Sequence, residues 1–150
     1  MIGCNTFSHL SAGLFEINRI GDDTSGRSWD RTRRMGVNTL AFRAAHHGAF
    51  YAADPDIAAI TRQHPWAKGR LWLRLLGESG MPTFVSPEIE AVTPEARTGL
   101  AEAFAAAASA PPLAEPLDWL ETVCPRRWRL HGRPVEFDWS TAEGPWPFRD

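Results

Sequence analysis

The chain has 150 residues and a formal net charge of −2, with 43% hydrophobic and 23% charged residues. This length and composition are those of one globular domain with a sizeable core. The slightly negative charge argues against nucleic acid or an anionic membrane as a partner, and no apolar run approaches the roughly 18 residues of a membrane span.

Two cysteines, Cys4 and Cys124, are too few for a disulfide framework and indicate a reducing compartment. The N-terminal residues lack the positively charged region and the long apolar stretch of a signal peptide. We therefore expect a cytoplasmic protein. The sequence begins almost inside a predicted strand, which is an unusual start for an independent domain.

Strand-like and helix-like segments alternate along the first two thirds of the chain. The predicted strands cover residues 2–4, 15–20, 49–53 and 82–86, and the last two are expected to be fully buried. A short helical turn is predicted from Ser8. Longer helices are predicted from Ser28 or Asp30 to a stop at Gly48, over 66–76 after Pro65, and from the N-cap Thr93 to about residue 109. This alternation predicts a parallel sheet with helices packed outside it.

The composition changes after residue 109. Residues 110–127 contain a proline-rich linker and are expected to include a short helix, and residues 128–150 are expected to form a small β-hairpin tail that turns at His131-Gly132. The tail contains three aromatic residues that could stack on sugars, namely Trp139, Trp146 and Phe148. We expect all three instead to pack the tail against the rest of the domain.

A polar loop follows the second predicted strand. Arg19 lies near the end of that strand, and Asp22 and Asp23 follow it. A second acidic turn, Asp54-Pro55-Asp56, follows the third strand. Ligands of α/β folds bind at the carboxyl ends of parallel strands, so these acidic loops are candidate sites. Aspartate is also a common turn former, so a purely structural role for both loops stays open.

The order of these motifs resembles the α-galactosidase (melibiase-like) clan of glycoside hydrolases. The matching pieces lie within residues 2–108 and are Ile2-Gly3-Cys4, Arg19-Ile20-Gly21-Asp22-Asp23 followed by Trp29, Ala53-Asp54-Pro55-Asp56, Pro82-Thr83-Phe84-Val85-Ser86 and Thr93-Pro94. The resemblance implies an α/β fold in which residues 1–109 form four βα units, strands five to eight of a (β/α)₈ (TIM) barrel. The short tail would then replace the β-rich domain that follows such barrels.

The same resemblance implies roles for individual residues. Asp23 matches the catalytic acid/base, Arg19 a substrate-contacting arginine, and Cys4 a residue that lines the sugar pocket. Asp54 and Asp56 match an acidic turn at the barrel mouth. The predicted substrate-binding set is completed by Asn5, Asp22 and Trp29. The family's nucleophile lies on the fourth barrel strand, which this sequence lacks, and no cofactor is implied.

Elementary chemistry limits which carboxylates can cooperate. A retaining glycosidase needs two carboxyl groups about 5–5.5 Å apart. Asp22 and Asp23 point to opposite faces of an extended chain, so the partner of Asp23 must come from elsewhere, and Asp54 and Asp56 are the other strand-end candidates. Because a close arginine lowers the pKa of a carboxylic acid, we expect Arg19 to orient sugar hydroxyls rather than to pair with Asp23.

Several signals have simpler structural interpretations. Without the resemblance, Cys4 is expected to be a small buried hydrophobe. His46 and His47 do not predict a metal site, because neighbours on a helix point about 100° apart and no further ligand completes the spacing. The arginines at 27, 31, 33 and 34 are expected to form a solvated helix face rather than a nucleic-acid site.

The resulting hypothesis is a partial glycoside hydrolase that acts on α-linked oligosaccharides or glycosides and is inactive alone. The expected partner is a missing N-terminal half-barrel or a second copy of the chain, because half a barrel has two open sheet edges. The alternative is a non-catalytic carbohydrate-binding or interaction remnant, or a truncated gene product.

Overall fold

The computed structural model describes residues 1–140. Strands β1 (Ile2–Cys4), β2 (Ile17–Arg19) and β3 (Ala52–Asp54) form a parallel sheet in chain order. Strand β4 (Ala58–Ile60) pairs in parallel with β5 (Val85–Pro87). The segment 52–60 therefore joins both sheets, with β2 beside its first half and β5 beside its second half. The fold is mixed α/β, and these strands do not close into a barrel within residues 1–140.

The helices follow the strands as the sequence predicts. The first helical region consists of α1 (Trp29–Arg31), a π-helical stretch (Thr32–Val37) and α2 (Asn38–Arg43). It is followed by α3 (Trp66–Gly77) and α4 (Pro94–Ala108). Single turns of 3₁₀ helix occur at Ser8–Ser11, Ala44–His46 and Ile89–Ala91. Of the two predicted starts of the first helix, Ser28 is the cap, and its Oγ accepts the N–H of Arg31 at 3.3 Å. The predicted Thr93 cap is confirmed, since Thr93 Oγ1 accepts the N–H of Ala96 at 3.2 Å.

The core lies between one face of the strands and the helices. Asn18 of β2, Ala53 of β3 and Ile20, which directly follows β2, are buried on this side. The largest fully buried side chains of the helical regions are Trp29, Leu40, Trp72, Leu73, Leu75 and Leu76, and they belong to the same continuous cluster as Ile20. Burial of large apolar side chains is worth about 1.5–3 kcal/mol each, so this layer contributes substantially to stability.

The other face of the three-stranded sheet is open. Pairing aligns Ile2 with Ile17 and Ile17 with Ala52, in a row that alternates with the buried one. Ile2 is exposed, and Ile17 and Ala52 are only half-buried. Parallel sheets are normally covered on both faces. The expectation of full burial is therefore wrong for 49–53 and for 82–86, whose residues are half-buried or exposed at most positions.

The tail forms a three-stranded antiparallel sheet of β6 (Glu115–Pro116), β7 (Arg127–Leu130) and β8 (Arg133–Glu136). The predicted hairpin turn is confirmed: His131 and Gly132 have φ values of 48° and 76°, the left-handed pair that a two-residue turn requires. The predicted short helix within 110–127 is wrong. Instead, the carboxylate of Asp118 accepts the backbone N–H groups of Arg126 and Arg127, each at 3.1 Å, and holds this segment in turns.

The tail shares the core of the α/β part. Trp128, Leu130 and Phe137 are buried in the same cluster as the helices. Trp139 is also buried, with its ring centroid 6.0 Å from that of Trp29, which confirms its predicted packing role. Trp146 and Phe148 lie outside the described residues. Within residues 1–140, no helix has the length and apolar character needed to cross a membrane.

Candidate functional site

Three of the predicted site residues lie side by side at the carboxyl ends of neighbouring strands. In the parallel pairing, Cys4 of β1 is opposite Arg19 of β2, and Arg19 is opposite Asp54 of β3. Residues in register on adjacent strands point to the same face, so the three side chains form one row at one edge of the sheet. This edge is where the strand-to-helix loops of parallel sheets form ligand sites.

Arg19 connects the two acidic loops. Its Nη1 lies 2.8 Å from Oδ1 of Asp23 and 3.5 Å from Oδ1 of Asp56, so one guanidinium nitrogen bridges carboxylates from two strand ends. Its Nε is buried and has no hydrogen-bond partner among residues 1–140. A buried donor without a partner is costly to the folded chain.

The close pair of Arg19 and Asp23 corrects the expectation that Arg19 stands apart to orient hydroxyls. The Asp23 side chain is about half exposed, at 56%, so the pair is accessible to solvent and to a ligand. A ligand that binds here has to share or displace this ion pair. In the structure as it stands, Asp23 acts as a hydrogen-bond acceptor.

Asp56 builds the loop that carries Asp23. Its Oδ2 accepts the backbone N–H of Thr24 at 2.7 Å and the Thr24 hydroxyl at 3.2 Å. Asp56 is buried and has a φ of 80°, a left-handed conformation that aspartate tolerates better than most residues. The backbone conformation and the hydrogen bonds together give Asp56 a structural role, which was one of the two interpretations that the sequence left open.

The surroundings of Asp54 strongly alter its proton affinity. Burial and, to a smaller extent, the nearby charge of Asp56 raise the pKa of its carboxyl from 3.8 to about 6. The N–H of Asp56, which donates to Asp54 Oδ1 at 2.8 Å, and the charge of Arg19 act in the opposite direction without cancelling the effect. Perturbed carboxyl groups of this kind are common at functional sites. The sequence points to Asp54 as part of an acidic turn but does not indicate the raised pKa, which depends on tertiary burial.

Asp22 and Asp23 diverge, as the sequence predicts for adjacent residues. Asp22 Oδ2 lies 2.7 Å from Nη2 of Arg31, whereas Asp23 faces Arg19. The backbone N–H of Asp23, which donates to Asp22 Oδ1 at 2.8 Å, and the charge of Arg31 lower the pKa of Asp22. Arg31 also donates from Nε to the carbonyl of Asp23 at 3.1 Å and thereby fixes the loop.

The remaining predicted site residues are placed differently. Trp29 is buried, and its indole N–H donates to the carbonyl of Ser140 at 3.1 Å, so its ring packs in the core and is not brought to the Arg19 row. Cys4 is exposed, which corrects the expectation of a buried hydrophobe. Asn5 is exposed with a φ of 51°, and its N–H donates to the carbonyl of Arg19 at 2.8 Å.

A polar cleft lies at the carboxyl ends of β4 and β5 and was not indicated by the sequence. It encloses about 530 Å³ and is lined by Ser25, Arg27, Thr61, Gln63, Ser86, Pro87 and Glu88. The loop that carries Asp23 continues into this cleft, and Thr61 Oγ1 donates to the carbonyl of Gly26 at 2.5 Å. The lining residues come from three separate segments, so a sequence motif could not have revealed them.

No group of three or more histidine, cysteine, aspartate or glutamate side chains within residues 1–140 could hold a metal ion. The pKa values of His46 and His47 are both lowered, chiefly by burial. His47 Nδ1 accepts the backbone N–H of Ala53 at 3.2 Å, which requires that nitrogen to be unprotonated.

No family model matches the chain, and no curated protein or solved structure shows significant similarity to it. The resemblance to the α-galactosidase clan is therefore a hypothesis supported by the sequence motifs alone, and the function has to be inferred from the geometry of the Arg19 row and the adjacent cleft.

Proposed function

We propose that the chain is a sugar-binding part of an α-galactosidase-like glycoside hydrolase that carries the acid/base carboxyl but not the nucleophile. The observation that supports this most directly is the bridge of Arg19 between Asp23 and Asp56 at the carboxyl ends of adjacent parallel strands. Arginine and carboxylate side chains together offer the donors and acceptors that sugar hydroxyls require.

In this proposal Asp23 transfers a proton to the glycosidic oxygen. Its exposure leaves it accessible to a glycoside, and Arg19 holds it at the strand end. A bound hydroxyl that takes over the Arg19 hydrogen bond would release Asp23 for proton transfer. Without this release, the Asp23 oxygen that faces Arg19 is occupied by the ion pair and cannot face the glycosidic oxygen.

The second carboxylate of a retaining mechanism is not available within this group. Asp56 is committed to Thr24 and Arg19, and Asp54 is buried with a raised pKa and accepts the N–H of Asp56. A nucleophile must be ionised and exposed to the anomeric carbon. We therefore expect the nucleophile to come from outside this group of carboxylates. The purified chain should hydrolyse an aryl α-galactoside very slowly or not at all.

Binding can be tested separately from catalysis. We expect methyl α-galactoside to shift the NMR signals of residues around Arg19, and we expect Arg19→Met and Asp23→Asn to weaken binding about 10- to 100-fold, the loss of one charge-assisted hydrogen bond of about 1.5–3 kcal/mol. Glu16→Gln is the matched control, because Glu16 directly precedes β2 at the opposite end of the strand. Unchanged binding in both site variants, or no binding by the parent chain, would contradict the proposal.

The non-catalytic alternative rests on the same contact, in which Asp23 serves only as a hydrogen-bond acceptor for Arg19. A galacto-configured iminosugar separates the two functions. Its ammonium group imitates the positive charge of the glycosidic transition state, which an enzyme site binds more tightly than the substrate. Tighter binding of the iminosugar than of methyl α-galactoside supports the enzyme, and equal or weaker binding supports the remnant. Turnover by the chain alone that Asp23→Asn abolishes would refute the missing-nucleophile proposal.

A further inference from the structure

The polar cleft at the carboxyl ends of β4 and β5 has almost no apolar wall in the described part of the chain. Of the described residues that line it, only Pro87 is apolar and none is aromatic. Pockets for small molecules are lined predominantly by apolar and aromatic side chains, with a few polar groups that fix orientation. A sugar has apolar C–H faces as well as hydroxyls. The described residues can satisfy its hydroxyls, but they leave its ring faces uncovered.

The last described residue, Ser140, is held at the same end of the fold. Its carbonyl accepts the indole N–H of Trp29 at 3.1 Å, and its Oγ lies 3.2 Å from Nζ of Lys68. Trp29 and Lys68 lie in the first turns of α1 and α3. In βα units, the helix N-termini and the carboxyl ends of the strands lie on one side, where the connecting loops form ligand sites. Ser140 is therefore on the side of the sheet that carries the cleft.

Trp29 connects Ser140 to two of the loops that form the cleft. Arg27, which lines the cleft, is two residues before Trp29. Gln63, which also lines it, directly precedes His64, and the ring centroids of His64 and Trp29 are 5.3 Å apart. Because residues adjacent in sequence are close in space, the chain continues from Ser140 beside the cleft.

The residues that follow Ser140 contain the kind of side chain that the cleft lacks. We call residues 141–150 the C-terminal segment, and its sequence is Thr-Ala-Glu-Gly-Pro-Trp-Pro-Phe-Arg-Asp. Trp146 is six residues beyond Ser140, and six extended residues span up to about 20 Å. Pro145 and Pro147 flank Trp146 and reduce the backbone entropy that is lost when its ring is fixed. A short tether also holds the ring near the cleft at an effective concentration in the millimolar range.

We propose that Trp146 covers the polar cleft and provides the aromatic face on which a bound sugar stacks. This assigns Trp146 a binding role instead of the packing role expected from the sequence. The inference rests on the proposed sugar binding at Arg19 and Asp23, and it adds an aromatic side chain on the side of the bound sugar that faces the cleft. It uses neither the edge of β1 nor that of β5, so it is compatible with a nucleophile that comes from outside this group of carboxylates.

Fluorine NMR tests whether Trp146 contacts the sugar. When the full chain is labelled with 5-fluorotryptophan, its seven tryptophans give seven signals, and the signal that is missing from Trp146→Phe belongs to Trp146. We expect methyl α-galactoside to shift this signal but not that of the buried Trp128, identified in the same way. If amide signals around Arg19 shift and the Trp146 signal does not, this inference is overturned while the proposed sugar binding stands. If neither responds, the proposed function fails and this inference fails with it.

Affinity measurements compare Trp146 with a second aromatic residue. Trp146→Ala should weaken the binding of methyl α-galactoside about 10-fold, whereas Trp146→Phe keeps a ring and should stay within about threefold of the parent. Phe7→Ala is the matched control and should leave the affinity unchanged. Phe7 is 80% exposed and follows β1, at the other end of the strand order from the cleft. Equal affinity of Trp146→Ala and the parent chain would overturn the proposal.

Urea unfolding without sugar separates stacking from packing. A ring that packs the tail against the domain stabilises the fold whether or not sugar is present, so its removal lowers the unfolding free energy. A ring that stacks on the sugar stabilises the fold only when the sugar is bound. We therefore expect Trp146→Ala and the parent chain to unfold with the same free energy in the absence of sugar. A lower unfolding free energy of the variant would assign Trp146 to packing and refute its binding role.

Discussion

Replacing Asp54 with asparagine should change how the stability of the protein depends on pH. Burial and the charge of Asp56 raise the pKa of Asp54 from 3.8 to about 6 in the folded protein. Below pH 3.8 the carboxyl is protonated in the folded and unfolded chains alike. Between these two values the unfolded chain loses the proton while the folded chain keeps it, so rising pH favours unfolding. Asparagine keeps an oxygen for the N–H of Asp56 but does not titrate.

The size of the effect follows from the shift. A change of one pKa unit corresponds to about 1.4 kcal/mol, so a shift from 3.8 to about 6 corresponds to about 3 kcal/mol for a fully shielded group. At pH 4 the carboxyl of the unfolded chain is already more than half ionised, so the change expected between pH 4 and pH 8 is about 2 kcal/mol. The unfolding free energy of Asp54→Asn, relative to the parent chain, should therefore rise by about this amount between pH 4 and pH 8.

Urea unfolding of both chains at several pH values between 4 and 8 measures this difference. Histidines titrate in the same pH range, but the parent and the variant contain the same histidines, so their effect on the difference in unfolding free energy cancels. Asp138→Asn is the control, because hydrogen bonds from Ser140 and the nearby Lys68 lower the pKa of Asp138 to about 2. A carboxyl with a lowered pKa contributes its full stabilisation above its ordinary pKa. The difference in unfolding free energy between Asp138→Asn and the parent should therefore stay constant from pH 4 to 8. A flat difference for Asp54→Asn would refute the reasoning about its burial.

Two further predictions concern packing. Gly77→Ala should destabilise the protein by about 1–3 kcal/mol in urea unfolding, because the new Cβ would lie 2.7 Å from the carbonyl oxygen of Ala103 in the α4 backbone. Gly99→Ala should destabilise the protein less, since the nearest group to its Cβ is the side chain of Trp66. Equal losses of stability would contradict this difference between backbone and side-chain contacts. Trp29→Phe should lower the unfolding free energy by about 1–3 kcal/mol, because it removes the hydrogen bond to Ser140 and some packing, but galactoside binding by the folded variant should be unchanged. Weaker binding by a fully folded variant would support the sugar contact predicted from the sequence.

Local chemistry made several elements predictable. Ser28 and Thr93 cap helices with their own side chains, and His131-Gly132 occupies the left-handed turn of the hairpin. In each case a few adjacent residues determine the backbone, so their identities suffice. The alternation of strands and helices was predictable for a related reason, because its periodicity is a property of short windows of sequence.

Features that depend on tertiary contacts were not predictable in this way. Strand β4 was missed, because Ala58–Ile60 follows the acidic turn without a second break and is defined by pairing with β5. The contact between Arg19 and Asp23 depends on the path of a loop that Asp56 fixes from another strand. The raised pKa of Asp54 likewise reflects burial that no single residue encodes.

The continuous segment of β3 and β4 has a consequence for how the sequence can vary. Three residues, 55–57, separate the part that pairs with β2 from the part that pairs with β5. Because all three residues of β4 are buried, inserting or deleting one residue here would shift β4 out of register with β5 and disturb its packing on both faces. The length of this turn is therefore constrained by both sheets, so insertions and deletions should be far rarer here than substitutions.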